Sequence, residues 1–322
     1  MKSSHAYLLV DESGGHYFTD FRYLQKAREK IRHLQVWDIS ENGYGEFLSR
    51  RQYDRLYFEK DIPYILYQQL KKTNIPLVPA GDLIQSIRMK KESGELEVLA
   101  EAINAVTWAF HSLVEYLRLG VYEGMSEWDV VKFLRRRLDE LDWEDFSFSP
   151  IVAFDENAAI PHYSYSRSKT LTSKSRQILV DFGFFHKNYA SDFTRVIFLR
   201  PPTKEMAHCY NILEESFILF EEQFSSMKTT ADIDLLFRSI IKEAGYGQYF
   251  QHATGHGIGL ECHEYPSLSP FSKAEIVNNM VFTIEPGIYL PGKGGIRIED
   301  MYTVKRGNLV KLTSYSREMI VL

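Results

Sequence analysis

The chain has 322 residues, 44% apolar and 25% charged, the proportions of an ordinary globular protein, which exclude a fibrous or largely disordered one. A formal net charge of -5 offers no basic field for a phosphate backbone, so no nucleic-acid partner is expected. No apolar run is long enough to cross a bilayer, the start Met1-Lys2-Ser3-Ser4-His5 lacks an apolar signal core, and the two cysteines, Cys209 and Cys262, stand outside any disulfide or metal spacing, which together predict a cytoplasmic protein with no membrane partner and ordinary thiols.

The length predicts two domains. Residues 6–10 read as a strand, 11–15 as a turn, the run to residue 19 as a second strand, and residues 21–33 as a helix. Residues 53–58 read as a strand, 63–72 as a helix opened by Pro63, and 75–78 as a strand closed by Pro79. These elements compose a small α/β domain over residues 1–86, followed by a second domain over residues 87–322.

From Glu95 a long helix places Leu96, Leu99, Ile103, Val106, Phe110, Leu113 and Leu117 at steps of three and four. Ser126 and Asp129 form the capping-box start of another helix, with Trp128, Val131, Leu134, Leu138 and Leu141 as its buried stripe. Strands at 177–182 and 190–199 follow. The order then recurs: a helix carrying Met206, Tyr210, Leu213, Phe217, Phe220 and Phe224, a shorter one with Ile233, Leu236, Phe237 and Ile240, and strands over 281–289 and 296–304. Residues 95–200 and 204–305 therefore read as two copies of one unit.

Each copy carries two acids in its strand pair. Asp181 interrupts the apolar run Ile178-Leu179-Val180-Asp181-Phe182-Gly183, where a lone carboxylate is costly to bury. Asp192 follows on the neighbouring strand, sharing a face with Thr194. Glu285 and Glu299 repeat the placement, 104 positions after Asp181 and 107 after Asp192 respectively. Taken singly, each acid is most simply an edge or salt-bridged residue; as a set in duplicated contexts they point to one site. Four converging carboxylates repel unless divalent cations neutralise them, and two such ions balance four charges. His256, in Gly255-His256-Gly257-Ile258-Gly259, adds a nitrogen donor, with glycines that let the backbone approach a metal or substrate.

These segments resemble the ligand motifs of the pita-bread metallopeptidases, the superfamily of prolidase, aminopeptidase P and methionine aminopeptidase. The resemblance covers residues 88–322 and, more loosely, the N-terminal domain, where Tyr17-Phe18-Thr19-Asp20-Phe21-Arg22-Tyr23 is similar to a creatinase-like domain. It implies an α+β fold of two halves related by a pseudo-twofold. Asp181 would bind one metal, Asp192 and Glu299 would bridge both, and His256 and Glu285 would complete the second. It further implies site roles for His162, His252 and His263 in orienting substrate and stabilising the tetrahedral intermediate, proton relay by Glu285, and a homodimer. Arg297, two residues before Glu299, is suited to orient the carboxylates. A ligand set rich in oxygen with one His favours manganese, with cobalt or zinc as alternatives.

Thr283-Ile284-Glu285-Pro286-Gly287-Ile288-Tyr289 and Ile296-Arg297-Ile298-Glu299-Asp300 resemble the proline-directed branch, which implies a proline-containing peptide as substrate. Tyr163, Tyr189 and Tyr289 are candidates for its proline pocket. Ser267 stands where some prolidases carry an arginine, which weakens a clamp on a dipeptide's carboxylate and favours cleavage of the Xaa-Pro bond of longer peptides, as by aminopeptidase P, over an Xaa-Pro dipeptidase. The rival of another class is a catalytically inactive binding module of the same fold. Such a module would shed ligands, and this chain keeps all five. Cys262 carries no sign of a depressed pKa and is not read as a nucleophile.

Overall fold

Asp11 organises the first turn of the chain by accepting from the Ser13 N–H at 2.8 Å and the Ser13 hydroxyl at 2.6 Å. It joins strands β1 (Ala6–Asp11) and β2 (Gly14–Thr19) in the computed structural model, which describes residues 6–120, 122–143 and 145–322. Asp20 caps helix α1 (Phe21–Lys30), and β3 (Gln35–Asp38) returns parallel to β2. Helix α2 (Ile39–Ser49), β4 (Leu56–Phe58), α3 (Tyr64–Lys71), β5 (Leu77–Pro79) and α4 (Leu83–Met89) follow. Phe18, Phe47, Leu48, Leu66 and Leu70 form the core of this first unit, Met1–Ile84.

Three expectations shift here. The first helix stops at Lys30 because Ile31 turns to extended backbone. The strand expected over 53–58 begins only at Leu56. The strand expected over 75–78 begins only at Leu77 and takes in Pro79 as its last residue, opposite Phe58, and the N–H of Ala80 bonds to the Phe58 carbonyl at 2.8 Å. A proline is tolerated at a strand terminus, where its missing donor costs nothing.

The second unit, Gln85–Leu322, contains α5 (Ser93–Arg118), α6 (Glu127–Glu140), β6 (Ile151–Phe154), β7 (Gln177–Phe182), β8 (Phe185–His186), β9 (Tyr189–Ala190) and β10 (Phe193–Phe198). It continues with α7 (Lys204–Gln223), α8 (Thr230–Glu243), β11 (Gly255–Gly257), β12 (Glu264–Leu268), β13 (Val281–Ile284), β14 (Gly287–Leu290), β15 (Gly294–Arg297), β16 (Asp300–Lys305), β17 (Asn308–Lys311) and β18 (Ile320–Val321). One sheet runs β18-β10-β7-β6 and another β12-β11-β13-β16-β17. In each, an antiparallel trio, β6-β7-β10 or β11-β13-β16, follows a helix pair. The duplication is thus visible in the topology, and β10 and β16 are six-residue strands whose bounds differ by 107 positions at both ends. Both second helices open with capping boxes, Ser126 with Asp129 and Thr229 with Asp232.

The halves meet where Arg195 of β10 bonds Asp300 of β16 at 2.6 Å, both side chains fully buried. Core residues beneath α5 and α6 include Leu99, Ile103, Phe110, Leu134 and Val180, and those beneath α7 and α8 include Phe217, Phe220, Phe237 and Phe282. Trp128 and Leu141 are only half-buried, and Val130 takes the core position instead. The Trp128 ring stacks on Tyr165 at 5.4 Å with the Arg167 guanidinium 4.8 Å from its centroid, a surface sandwich.

The strands expected to be continuous are broken at the acids. Ser191 and Asp192 precede β10, with the Ser191 N–H bonded to Phe184 O at 3.0 Å. The expected 281–289 strand is cut at Glu285-Pro286 and the 296–304 strand at Ile298-Glu299. Pro286 has no N–H for the ladder, and the Glu285 N–H goes to Thr254 O at 2.7 Å. Among the described residues, no helix is long and apolar enough to cross a membrane.

Candidate active site

A cavity of about 370 Å³ is lined by Asp181, Asp192, His256, Glu285 and Glu299 together with His162, His252, His263, Tyr289 and Arg297. The five expected ligands, the three histidines and Arg297 therefore border one space, with Tyr289 of the three tyrosines. Asp181 lies near the end of β7 opposite Thr194 of β10, Asp192 at the entry to β10, His256 in β11, and the two glutamates in the breaks that flank β14 and β15.

The five central groups are close. His256 Nε2 lies 3.6 Å from Asp192 Oδ2 and 3.4 Å from Glu285 Oε1. Ligand atoms of Asp192, His256 and Glu299 all fall within 4.8 Å of one another. His256 Nδ1 donates to the Gly257 carbonyl at 3.1 Å, so in the neutral ring the Nε2 lone pair faces the carboxylate oxygens. Lone pair against anion is repulsive without an electrophile between them. Asp181 Oδ1, Asp192 Oδ1 and Glu299 Oε1 are buried and have no hydrogen-bond partner among the described residues. Orphaned acceptors of this kind require an explanation, and a divalent cation supplies one.

Electrostatics agree. Burial first, then neighbouring acids, push Asp192, Glu285 and Glu299 well above the usual carboxylate range; for Asp192 the neighbours are Asp181 and Glu285, and for Glu299 they are Asp192 and Asp181. Burial pulls His256 down to about 3, with His263 adding to the effect, so its ring is a neutral donor atom ready for a cation. Burial and then Arg297 pull His252 down to about 4.

Outer contacts fix the acids. The Arg297 guanidinium holds Asp181 Oδ2, donates from Nε to Thr194 Oγ1 at 3.3 Å and from an Nη to the Tyr289 hydroxyl at 2.9 Å. Thr194 donates to Glu299 Oε2 at 2.7 Å. Arg297 thus orients Asp181 directly and Glu299 through Thr194. Tyr289 donates to His252 Nε2 at 2.9 Å, since His252 Nδ1 donates to Ala253 O at 2.7 Å.

Some positions differ from expectation. Gly255 and Gly257 make room for protein: a Cβ would lie 2.0 Å from Thr283 O at the first and 2.4 Å from Tyr265 O at the second. Tyr189 donates to Glu95 at 2.6 Å and Tyr163 accepts from Asn157 at 2.8 Å, while Tyr289 borders the cavity. His162 and His263 are exposed at the cavity, the His263 ring 4.3 Å from that of His256. The Cys262 thiol, read as ordinary, is buried and donates to Asp192 Oδ2 at 3.2 Å. Burial and Asp192 push its pKa far upward, which keeps it protonated as a donor. Phe148 and Ile151 add an apolar wall that no polar pattern could announce.

Residues 97–306 match the model of metallopeptidase family M24 and residues 1–90 that of the creatinase/prolidase N-terminal domain. The chain is 32% identical to the Xaa-Pro dipeptidase of Pyrococcus horikoshii, across 97% of this chain and 87% of that one. It superposes on an Xaa-Pro dipeptidase from Bacillus anthracis with a TM-score of 0.89 at 31% identity, over 100% of this chain and 90% of that chain. For an X-Pro aminopeptidase from Thermotoga maritima the TM-score is 0.83 at 29% identity, over 99% and 91%. These matches establish the pita-bread fold with its creatinase-type N-terminal domain. Family membership implies divalent metal, and the buried Asp192, His256 and Glu299 cluster suits it. The chain belongs to metallopeptidase family M24.

Proposed function

We propose that this protein hydrolyses the bond between an N-terminal residue and proline in peptides, with two divalent cations, manganese foremost, held by Asp181, Asp192, His256, Glu285 and Glu299. The carrying observation is the set of buried, unpartnered oxygens on Asp181, Asp192 and Glu299 around a neutral His256. Asp192 and Glu299 would be shared by both cations, Asp181 would serve one, and His256 and Glu285 would serve the other. Bound there, the cations lower the pKa of water and polarise the scissile carbonyl.

The remaining steps belong to side chains. Arg297 anchors the Asp181 carboxylate group in a dry site, where burial opposes the guanidinium's charge but Tyr289, Asp181 and Glu285 outweigh it and raise its pKa. His263 and His162, exposed at the cavity, donate to the developing oxyanion or the substrate's carbonyls. His252, neutral near physiological pH, holds the Tyr289 hydroxyl, which borders the substrate space. Glu285, which borders the cavity, relays a proton from the attacking water to the departing proline nitrogen.

Longer peptides fit best. Among the described residues lining the cavity the cationic side chain is Arg297, and Asp181 already engages it. A dipeptide's carboxylate meets no free cation there, whereas an extended peptide continues past the site. The Pyrococcus horikoshii and Bacillus anthracis relatives, both Xaa-Pro dipeptidases, favour a second reading, an Xaa-Pro dipeptidase. Assays of Ala-Pro against Ala-Pro-Ala with manganese, using Asp192→Asn as a control, decide between them. The expected result is at least about tenfold higher kcat/KM for the tripeptide, while cleavage of Ala-Pro alone would transfer the assignment to dipeptidase. An undiminished Asp192→Asn enzyme would remove the bridging role.

A further inference from the structure

His252 sits on a loop with no regular structure of its own, the stretch between the short helical turn Gly247–Tyr249 and β11. What fixes it comes from α8. Asp234 is fully buried and takes a two-pronged contact from Arg238 one turn later, Nε and an Nη each at 2.8 Å. Asp234 Oδ1 also accepts the Thr254 N–H at 3.1 Å and the Thr254 hydroxyl at 2.9 Å. Arg238 reaches on to the carbonyls of Phe250, at 3.2 Å, and His252, at 2.9 Å, with its guanidinium 4.8 Å from the Phe250 ring centroid. The Thr254 carbonyl in turn receives the Glu285 N–H at 2.7 Å.

We propose that Asp234 and Arg238 are positioning residues of the active site, a clamp on α8 that fixes the main chain of residues 250–254 and, through it, His252 and the backbone of Glu285. Neither side chain borders the cavity, so both act through others. A helix is a rigid support and a loop is not, and transferring the loop's geometry to α8 removes the freedom that would misplace an imidazole by an ångström. Arginine is needed for its planar fork: one group grips a carboxylate on two prongs while donating to two carbonyls, a pattern a lysine ammonium cannot span. The inference rests on the assignment of His252 to the reaction.

The test compares wild type, Arg238→Lys, His252→Ala and the double variant on Ala-Pro-Ala with manganese. Arg238→Lys is expected to lower kcat about 10- to 100-fold with KM little changed, and to lower it several-fold less once His252 is alanine, the residual loss passing through the Glu285 backbone. Losses that multiply in full in the double variant overturn the clamp, since a residue that merely stabilises the fold would keep its whole effect without His252. Amide hydrogen exchange of the metal-free protein gives a readout independent of turnover. Faster exchange confined to residues 250–254 in Arg238→Lys, and in Asp234→Asn as a second variant, supports the clamp; unchanged exchange overturns it. A His252→Ala enzyme with full kcat would overturn instead the catalytic assignment of His252, and the exchange result would still judge the clamp.

Discussion

Glu285 and Glu299 face one another across a two-residue gap in a single antiparallel register, for Ile284 pairs with Asp300 on one side of the gap and Gly287 with Arg297 on the other. Acids set opposite each other repel, and burial raises both carboxyls further, Asp192 and Asp181 acting on Glu299 and Glu299 acting on Glu285. The ladder opens at the two acids proposed as ligands.

Neutralising one of the pair should therefore act in opposite directions with and without metal. Glu299→Gln is expected to weaken manganese affinity by more than the about 10- to 100-fold typical of losing an outer partner, and to raise the Tm of the metal-free protein at neutral pH. Titration calorimetry and thermal melts read the two effects. A metal-free variant that melts below wild type would contradict the repulsion.

The pH dependence of metal stabilisation follows from the same groups. The folded carboxyls of Asp192, Glu285 and Glu299 bind protons more tightly than unfolded ones, so they contribute stability at low pH that is lost as pH rises from the unfolded value, about 4, through the raised ones. His252 and His256 carry the opposite sign. Their folded values of about 4 and about 3 lie below the ordinary 6.5, so they take stability away as pH falls from 6.5 towards those values. On the proposed ligand set, divalent ions replace the protons on the carboxyls. The rise in Tm on adding manganese should accordingly be larger at about pH 7.5 than at about pH 5.5, and a larger rise at the lower pH would be evidence against carboxylate ligation.

Much of this is legible in the sequence. Helix periodicity located α5 to α8, because each buries a long apolar stripe, and the spacing of acids exposed the duplicated halves. The breaks at Glu285 and Glu299 were less legible: both sit among β-branched neighbours that read as continuous strand, and the partner of the Glu285 N–H, Thr254 O, is distant in sequence. Asp234 and Arg238 were missed because an acid and a base at i and i+4 on a helix usually mark a solvated pair, whereas here the acid is fully buried and the pair reaches a loop. Cys262 was passed over as an ordinary thiol, since nothing local announces its contact with Asp192, seventy positions away.

Arg297 joins three partners that no smaller or rounder cation reaches together: Asp181, Thr194 and Tyr289. Arg297→Lys is expected to cost about 10- to 100-fold in kcat while the protein still folds. Steady-state kinetics with circular dichroism as the folding control measures this, and a lysine variant with native kcat would reduce Arg297 to a plain salt bridge.

Arg195 and Asp300 pin the two halves together in a dry environment. Removing one member of such a pair strands the other, so Arg195→Met should destabilise the protein by about 3–5 kcal/mol in urea unfolding. The lower end is expected, since Arg317 and Lys311 also approach Asp300, at 3.0 and 3.1 Å. A loss near zero would mean that these two cations suffice.

The gathering of two cations by five side chains is tested most directly by anomalous diffraction from crystals grown with manganese. Two manganese peaks enclosed by Asp181, Asp192, His256, Glu285 and Glu299 are the predicted result. Manganese bound elsewhere, or those five side chains turned away from it, would contradict the account.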